Sequence, residues 1–116
     1  MSAYVTETST NLWSVSITDL TTGQSFSKNI SYTSTHSSAE WIQEEPSYGN
    51  GTLIPLDHFV SVSFSNGTTT INAASANILN SQGQMVFLFN RSGLRLAVPT
   101  SLSSDGSGFI VNQVNG

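Results

Sequence analysis

Hydrophobic and polar residues alternate along much of this chain with a period of two. Between residues 12 and 19, the apolar Trp13, Val15 and Ile17 alternate with serine and threonine. This period is typical of β-strands that bury one face. Turn formers around Gly23 follow, and the next nine residues alternate again as a returning strand. We therefore predict a β-hairpin over residues 12–32.

The same alternation and the intervening turn formers predict further strands, at residues 3–8, 38–45, 59–65, 69–74, 84–89 and 109–114. Residues 103–108, which include Asp105 and Gly106, are predicted to form a turn. Residues 85–89 are apolar on both faces, so we expect that strand to be buried. No window of helical length shows an apolar stripe, and only residues 73–80 could hold a short helical turn. Many short strands without helices predict an all-β antiparallel sandwich or barrel, with residues 1–116 as a single unit.

The predicted strand at residues 38–45 gathers three of the seven acidic residues of the chain beside a tryptophan. Alternation puts Glu40 and Glu44 on one face, whereas Trp41 and Glu45 lie on the other. Pro46 cannot donate a hydrogen bond to a neighbouring strand and should end this one. The three carboxylates therefore do not form one site.

Composition narrows the possible partners. The 116 residues include only three Lys or Arg against seven Asp or Glu, for a formal net charge of −4. Such a chain offers no positive surface to a nucleic acid and no basic helix to a membrane. With so few titratable groups, little charge accumulates in acid, which is compatible with an acidic or extracellular setting. The chain has no cysteine, so a disulfide or a Cys metal site is excluded.

Several kinds of catalytic site are missing from the sequence. There is no G-x-S-x-G elbow and no phosphate-binding glycine loop. His36 and His58 stand alone, without a carboxylate at metal-ligand spacing, and are interpreted as surface or loop histidines. No metal or cofactor is predicted.

Two interpretations of the carboxylates remain open at this point. Charged residues are usually exposed, so Glu40, Glu44 and Glu45 can be solvent-facing residues of a strand whose Trp41 lies in the core. Alternatively, Glu40 lies in a cleft where Glu44 and partial burial raise its proton affinity, as suits a general acid or base. The pattern alone does not decide between them.

The residues around this segment resemble a known family. The run Ala39-Glu40-Trp41-Ile42, followed by residues 56–66, is similar to the motif region of the eqolisins, the glutamic peptidases. Residues 15–26 and 97–109 also resemble segments that flank this region in bacterial members. The resemblance thus covers nearly the whole chain, with the segments in the family's order.

The resemblance implies an antiparallel β-sandwich of the jelly-roll or concanavalin-like kind, of which this chain is similar to the C-terminal half. It implies a secreted, acid-acting endopeptidase that cleaves polypeptides without a metal or cofactor. Glu40 would be the general base and acid, with Trp41 and Glu44 in support. The family's second catalytic residue is a glutamine from its N-terminal half, and no such segment precedes Ala39 here. None of the glutamines is assigned that role: Gln24, Gln43, Gln82, Gln84 and Gln113.

Two alternatives to an active peptidase follow from the missing glutamine. The chain could be a non-catalytic β-sandwich that binds a peptide or a carbohydrate. It could also be a half-domain that assembles with a partner chain or with a second copy, because an incomplete sandwich exposes strand edges and an apolar face.

Overall fold

The computed structural model describes residues 1–115 and contains nine strands and no helix within them. The strands are β1 Ser2–Ser9, β2 Leu12–Thr18, β3 Ser25–Ser31, β4 Ser61–Phe64, β5 Thr68–Ile71, β6 Ala74–Asn77, β7 Leu88–Phe89, β8 Arg95–Pro99 and β9 Phe109–Gln113. Every pairing between them is antiparallel. The all-β antiparallel prediction is confirmed. In the part described there is also no helix long and apolar enough to cross a membrane.

The chain separates into two compact units, Met1–Ser38 and a second that begins at Ala39. That residues 1–116 form a single sandwich unit stays a prediction. The first unit is a three-stranded sheet in the order β1-β2-β3. Its β2–β3 turn is closed by Gly23, whose N–H donates to the Asp19 carbonyl at 2.8 Å and whose φ is +76°. Glycine adopts this left-handed conformation without a steric cost, so the predicted hairpin is confirmed.

The two faces of this three-stranded sheet differ sharply in polarity. Register places Val5 beside Val15, and Ile17 beside Phe26, so these apolar side chains share one face. The other face carries serine, threonine and asparagine, together with Tyr4. Val5 is 63% exposed and Phe26 is 61% exposed. The apolar face of the first unit therefore remains open to solvent.

The second unit contains a four-stranded sheet, in the order β4-β9-β8-β7, and the separate hairpin β5-β6. Its core is small: among the described residues, the buried apolar side chains are Ile78, Leu96, Ala97 and Val111. Leu96 and Ala97 lie in β8, next to the β9 strand that holds Val111. The turn between β8 and β9 is the one predicted around Asp105.

Three sequence predictions for this second unit are wrong. Residues 38–45 form no strand, because the described part of the chain places no backbone hydrogen-bond partner beside Ala39–Glu45. Residues 85–89 are not buried: only Leu88 is half-buried and the other four side chains are exposed. The strand predicted at residues 69–74 is interrupted, since Asn72 and Ala73, at φ +51° and +63°, form a two-residue hairpin turn between β5 and β6. Of the stretch 73–80, in which a short helical turn was possible, residues 74–77 form β6. A turn follows that strand, where the Ser81 N–H donates to the Asn77 carbonyl at 3.0 Å with the spacing of a helical turn.

Two further differences concern strand ends. The strand predicted from residue 59 begins at Ser61, because Val60 takes a φ of +57° that no β-strand accommodates. Strand β8 was not predicted, although it holds two of the four buried apolar residues. The sequence Arg95–Pro99 has adjacent apolar residues and ends in proline, so it shows no alternation.

Candidate active site

The segment with the candidate catalytic carboxylate runs from the end of β3 to the Ser47–Leu53 bridge. Glu40 is exposed, and its carboxylate makes no hydrogen bond or ion pair with the described residues. Trp41 is half-buried and Ile42 is exposed. The Glu40 carboxylate is therefore accessible to solvent, whereas the neighbouring Trp41 side chain is partly covered.

Exposure alternates along this segment as it would in a strand. Trp41, Gln43 and Glu45 are half-buried, whereas Glu40 and Glu44 are exposed. The predicted division of the carboxylates between two sides therefore matches their exposure.

None of the glutamines is paired with Glu40 in the described residues. Gln113, at the end of β9, accepts a hydrogen bond from the Phe59 N–H at 3.0 Å, and its buried amide nitrogen has no partner. Gln24, Gln82 and Gln84 are exposed, and Gln43 lies on the half-buried side of its segment. Within the described residues, the candidate site thus contains one exposed carboxylate, without an amide donor paired to it.

A second titratable cluster, in the first unit, was not recognised in the sequence. The Nε2 atom of His36 lies 2.9 Å from Oε2 of Glu7, and the His36 ring lies 5.5 Å from the ring of Trp13. His36 is exposed and lies outside the strands, as interpreted from the sequence, but it does not stand alone. The β1–β2 register puts Glu7 beside Trp13, and His36 reaches this pair from the stretch after β3.

Two hydrogen bonds lower the pKa of the Glu7 carboxyl. The backbone N–H of Asn11 donates to Oε1 at 2.8 Å, and this bond is the largest cause that lowers the pKa of Glu7 below its ordinary value. The hydrogen bond with His36 lowers the pKa further. Both contacts favour the ionised carboxylate.

The most strongly perturbed carboxylate has a structural role. Ser103 and Ser107 donate their hydroxyl groups to Asp105, and the Ser107 backbone N–H donates as well, at 3.1 Å. Of these, the Ser103 bond contributes most to lowering the pKa of Asp105 to about 2. All three donors belong to the turn itself, so Asp105 organises the connection between β8 and β9.

A shallow, open depression in the second unit is lined by Arg91 and by the loop Asn50–Leu53. The Arg91 guanidinium donates to the Gly51 carbonyl at 2.8 Å, which fixes the loop. Within the described residues, no group of three His, Asp or Glu side chains is close enough to hold a metal ion.

The comparison with known proteins identifies the class. A sequence model of the Peptidase A4 family matches residues 1–112, and the chain belongs to this family. Its fold is similar to the crystal structure of aspergilloglutamic peptidase from Aspergillus niger, with a TM-score of 0.81 and 26% sequence identity. This similarity confirms the predicted glutamic-peptidase resemblance and the antiparallel β-sandwich class.

The structural match covers 97% of this chain but 65% of the Aspergillus niger chain. This protein therefore spans about two thirds of the length of the peptidase that it resembles. A search among curated proteins gave no significant match.

Proposed function

We propose that this chain provides the general-base part of a glutamic endopeptidase that acts in acid. The observation that carries the proposal is the state of Glu40, which lies inside the range matched by the Peptidase A4 family and has an exposed carboxylate without a partner in residues 1–115. A carboxylate bound to no donor keeps its lone pairs available for the proton of a water molecule.

The proposed reaction needs no group other than protein and water. Glu40 takes a proton from a water molecule while the water oxygen attacks the peptide carbonyl carbon. The resulting tetrahedral intermediate collapses when Glu40 returns the proton to the departing amide nitrogen, and the C–N bond breaks. In this proposal Trp41, which is half-buried, supports Glu40, and the exposed Glu44 contacts the substrate chain.

The intermediate also needs a hydrogen-bond donor for its oxyanion. We propose that this donor comes from a further polypeptide segment, a second chain or another copy, which completes the site. Two features support this part. The backbone of Ala39–Glu45 forms no hydrogen bond within the described residues, and the apolar face of the three-stranded sheet is exposed. Backbone without hydrogen-bond partners and open apolar surface both favour association.

The proposed setting is extracellular and acidic. Ten Lys, Arg, Asp and Glu residues in 116 leave little charge to accumulate as carboxylates gain protons. Self-repulsion in acid is therefore small, which favours a folded chain at low pH.

An alternative function, binding of a peptide or carbohydrate without cleavage, is supported by exposed aromatic side chains. Tyr32 and Tyr48 are both exposed, and aromatic faces bind either ligand. This alternative predicts saturable binding without turnover at every pH.

The experiment that tests the proposal is reconstitution. The chain is assayed for hydrolysis of an unfolded protein in acid, alone and with an added N-terminal segment from a glutamine-containing family member. We expect cleavage only in the mixture. Binding of substrate without cleavage in both arms would instead support the alternative function.

A further inference from the structure

The stretch that follows β3 is fastened to the first unit by side chains. The Trp13 indole N–H donates to the Tyr32 carbonyl at 2.9 Å, and the Tyr32 N–H donates to the Asn11 carbonyl at 2.9 Å. Four residues later, His36 pairs with Glu7 and lies against Trp13. Residues 32–36 are thus held at both ends, although none of them belongs to a strand.

The backbone at His36 is itself unusual. Its φ of +54° lies in the left-handed region, which costs free energy for a residue with a side chain. The His36 N–H donates to the Ser34 hydroxyl at 3.0 Å, which helps to stabilise this conformation. A strained residue persists where its surroundings determine its position. Here the surroundings are the carboxylate of Glu7 and the ring of Trp13.

We propose that Glu7 and His36 form a pH-sensitive latch that fastens residues 32–36 to the three-stranded sheet and releases them in acid. The latch depends on contacts inside Met1–Ser38 alone, so it does not rest on the proposed peptidase activity. The segment it holds leads, four residues further along the chain, to Glu40. Release would therefore free the chain just before the candidate catalytic residue.

The chemistry of the pair sets its pH range. An ionised carboxylate only accepts hydrogen bonds, so Nε2 of His36 must carry the proton that lies between the two atoms. Acidification protonates Glu7 and removes both its charge and its best acceptor. The latch is therefore closed while Glu7 is ionised and opens in strong acid.

The lowered pKa of Glu7 sets the direction in which pH changes the stability of the latch. A depressed carboxyl pKa contributes stability that is present above the ordinary value and is lost as the pH falls through the lowered one. The other charged groups of the unit are Lys28, Asp19 and the N-terminal amine. Lys28 lies on the same face as Glu7, opposite Val15, while Asp19 follows the far end of β2. None of these three makes an ion pair with Glu7 or His36.

The experiment is amide hydrogen exchange at Tyr32 and His36, whose N–H groups donate hydrogen bonds. It is followed between pH 3 and pH 8 and read as protection factors, so that the intrinsic pH dependence is removed. We expect protection to be highest while Glu7 is ionised and to fall in strong acid. Glu7→Gln and His36→Gln should each reduce the maximum about two- to five-fold, the range typical of exposed ion pairs, and should flatten its pH dependence. Glu45→Gln and His58→Gln are the matched controls in the second unit, and should change nothing.

Protection of residues 32–36 that is the same in Glu7→Gln, His36→Gln and the parent at every pH would overturn the latch. If Glu7→Gln also lowers the protection of amides in β2 and β3, that variant has disturbed the sheet itself. His36→Gln is then the decisive variant, because the His36 residue lies outside the sheet. A His36→Gln protein with an unchanged pH profile would then overturn the proposal.

Discussion

The side-chain amide of Asn77 donates a 2.9 Å hydrogen bond to the backbone carbonyl of Asp105. This bond joins the end of the β5-β6 hairpin to the turn between β8 and β9. The Leu79 N–H adds a second connection, to the Gly106 carbonyl at 3.0 Å. The small core of the second unit is thus supplemented by a polar junction between two turns.

Asp105→Asn should destabilise the protein in a pH-dependent way. The neutral amide accepts hydrogen bonds from Ser103 and Ser107 less strongly than the carboxylate does. Because the pKa of Asp105 is lowered to about 2, its contribution is complete above the ordinary carboxyl pKa and disappears as the pH falls through about 2. Thermal unfolding should show a melting temperature lower by a few degrees at pH 5, and a smaller difference near pH 2.

The control for that experiment is Asp57→Asn, at an exposed residue whose side chain accepts only the N–H of the next residue, His58. It should leave the melting temperature nearly unchanged at both pH values. Equal destabilisation of Asp105→Asn at pH 5 and near pH 2 would show that the charge of Asp105 is not the cause.

Gly106→Ala should be more destabilising than Gly93→Ala. Both glycines have positive φ, +70° and +82°, so alanine is strained at either position by about 1–2 kcal/mol. An added Cβ at Gly106 would also lie 2.7 Å from the Cβ of Leu79, whereas nothing lies within 4 Å at Gly93. Denaturant unfolding measures the difference. Equal losses for the two variants would contradict the close packing between the two turns.

Leu96→Ala should cost about 2–5 kcal/mol of unfolding free energy, because it leaves a cavity in the core. Leu96 is 6% exposed, whereas Leu94, two residues earlier, is 49% exposed. Leu94→Ala is the matched control and should cost about 0.5 kcal/mol or less. Urea unfolding of the two variants distinguishes them, and similar losses would mean that the core does not centre on β8.

Phe26→Thr should reduce self-association. Phe26 is 61% exposed on the apolar face of the first unit, and threonine keeps a side chain that suits β3. Sedimentation velocity at several concentrations should show less association than in the parent. Ser27→Thr, on the opposite polar face, should not change it. If the parent protein stays monomeric at high concentration, the expectation that this face mediates association is contradicted.

What the sequence predicted well was local. The hairpin at residues 12–32 needs only alternation around Trp13, Val15 and Ile17 and a turn at Gly23, and both are visible in the printed residues. The turn around Asp105 likewise depends on short-range side-chain acceptors. Such features depend on residues that are close together in the sequence, so the local sequence is enough to predict them.

What the sequence did not predict depends on distant neighbours. Residues 40–45 alternate in exposure as a strand does, but a strand also needs a second chain segment beside it. Glu7 and His36 form a pair although they are 29 residues apart in the sequence, and no spacing rule detects a pair at that separation. Strand β8 is identified by its position between β7 and β9, and not by its own pattern. The candidate role of Glu40 came from family resemblance, since composition left two interpretations open.

The most direct test of the central proposal compares Glu40→Gln with Glu45→Gln in the reconstituted protein, assayed in acid on an unfolded protein substrate. Glutamine preserves the shape of Glu40 but cannot accept the proton of water, so the rate of cleavage should fall about 10²- to 10⁴-fold. Glu45→Gln, on the half-buried side of the segment, should retain the parental rate. A Glu40→Gln protein that cleaves as fast as the parent would show that Glu40 is not the general base.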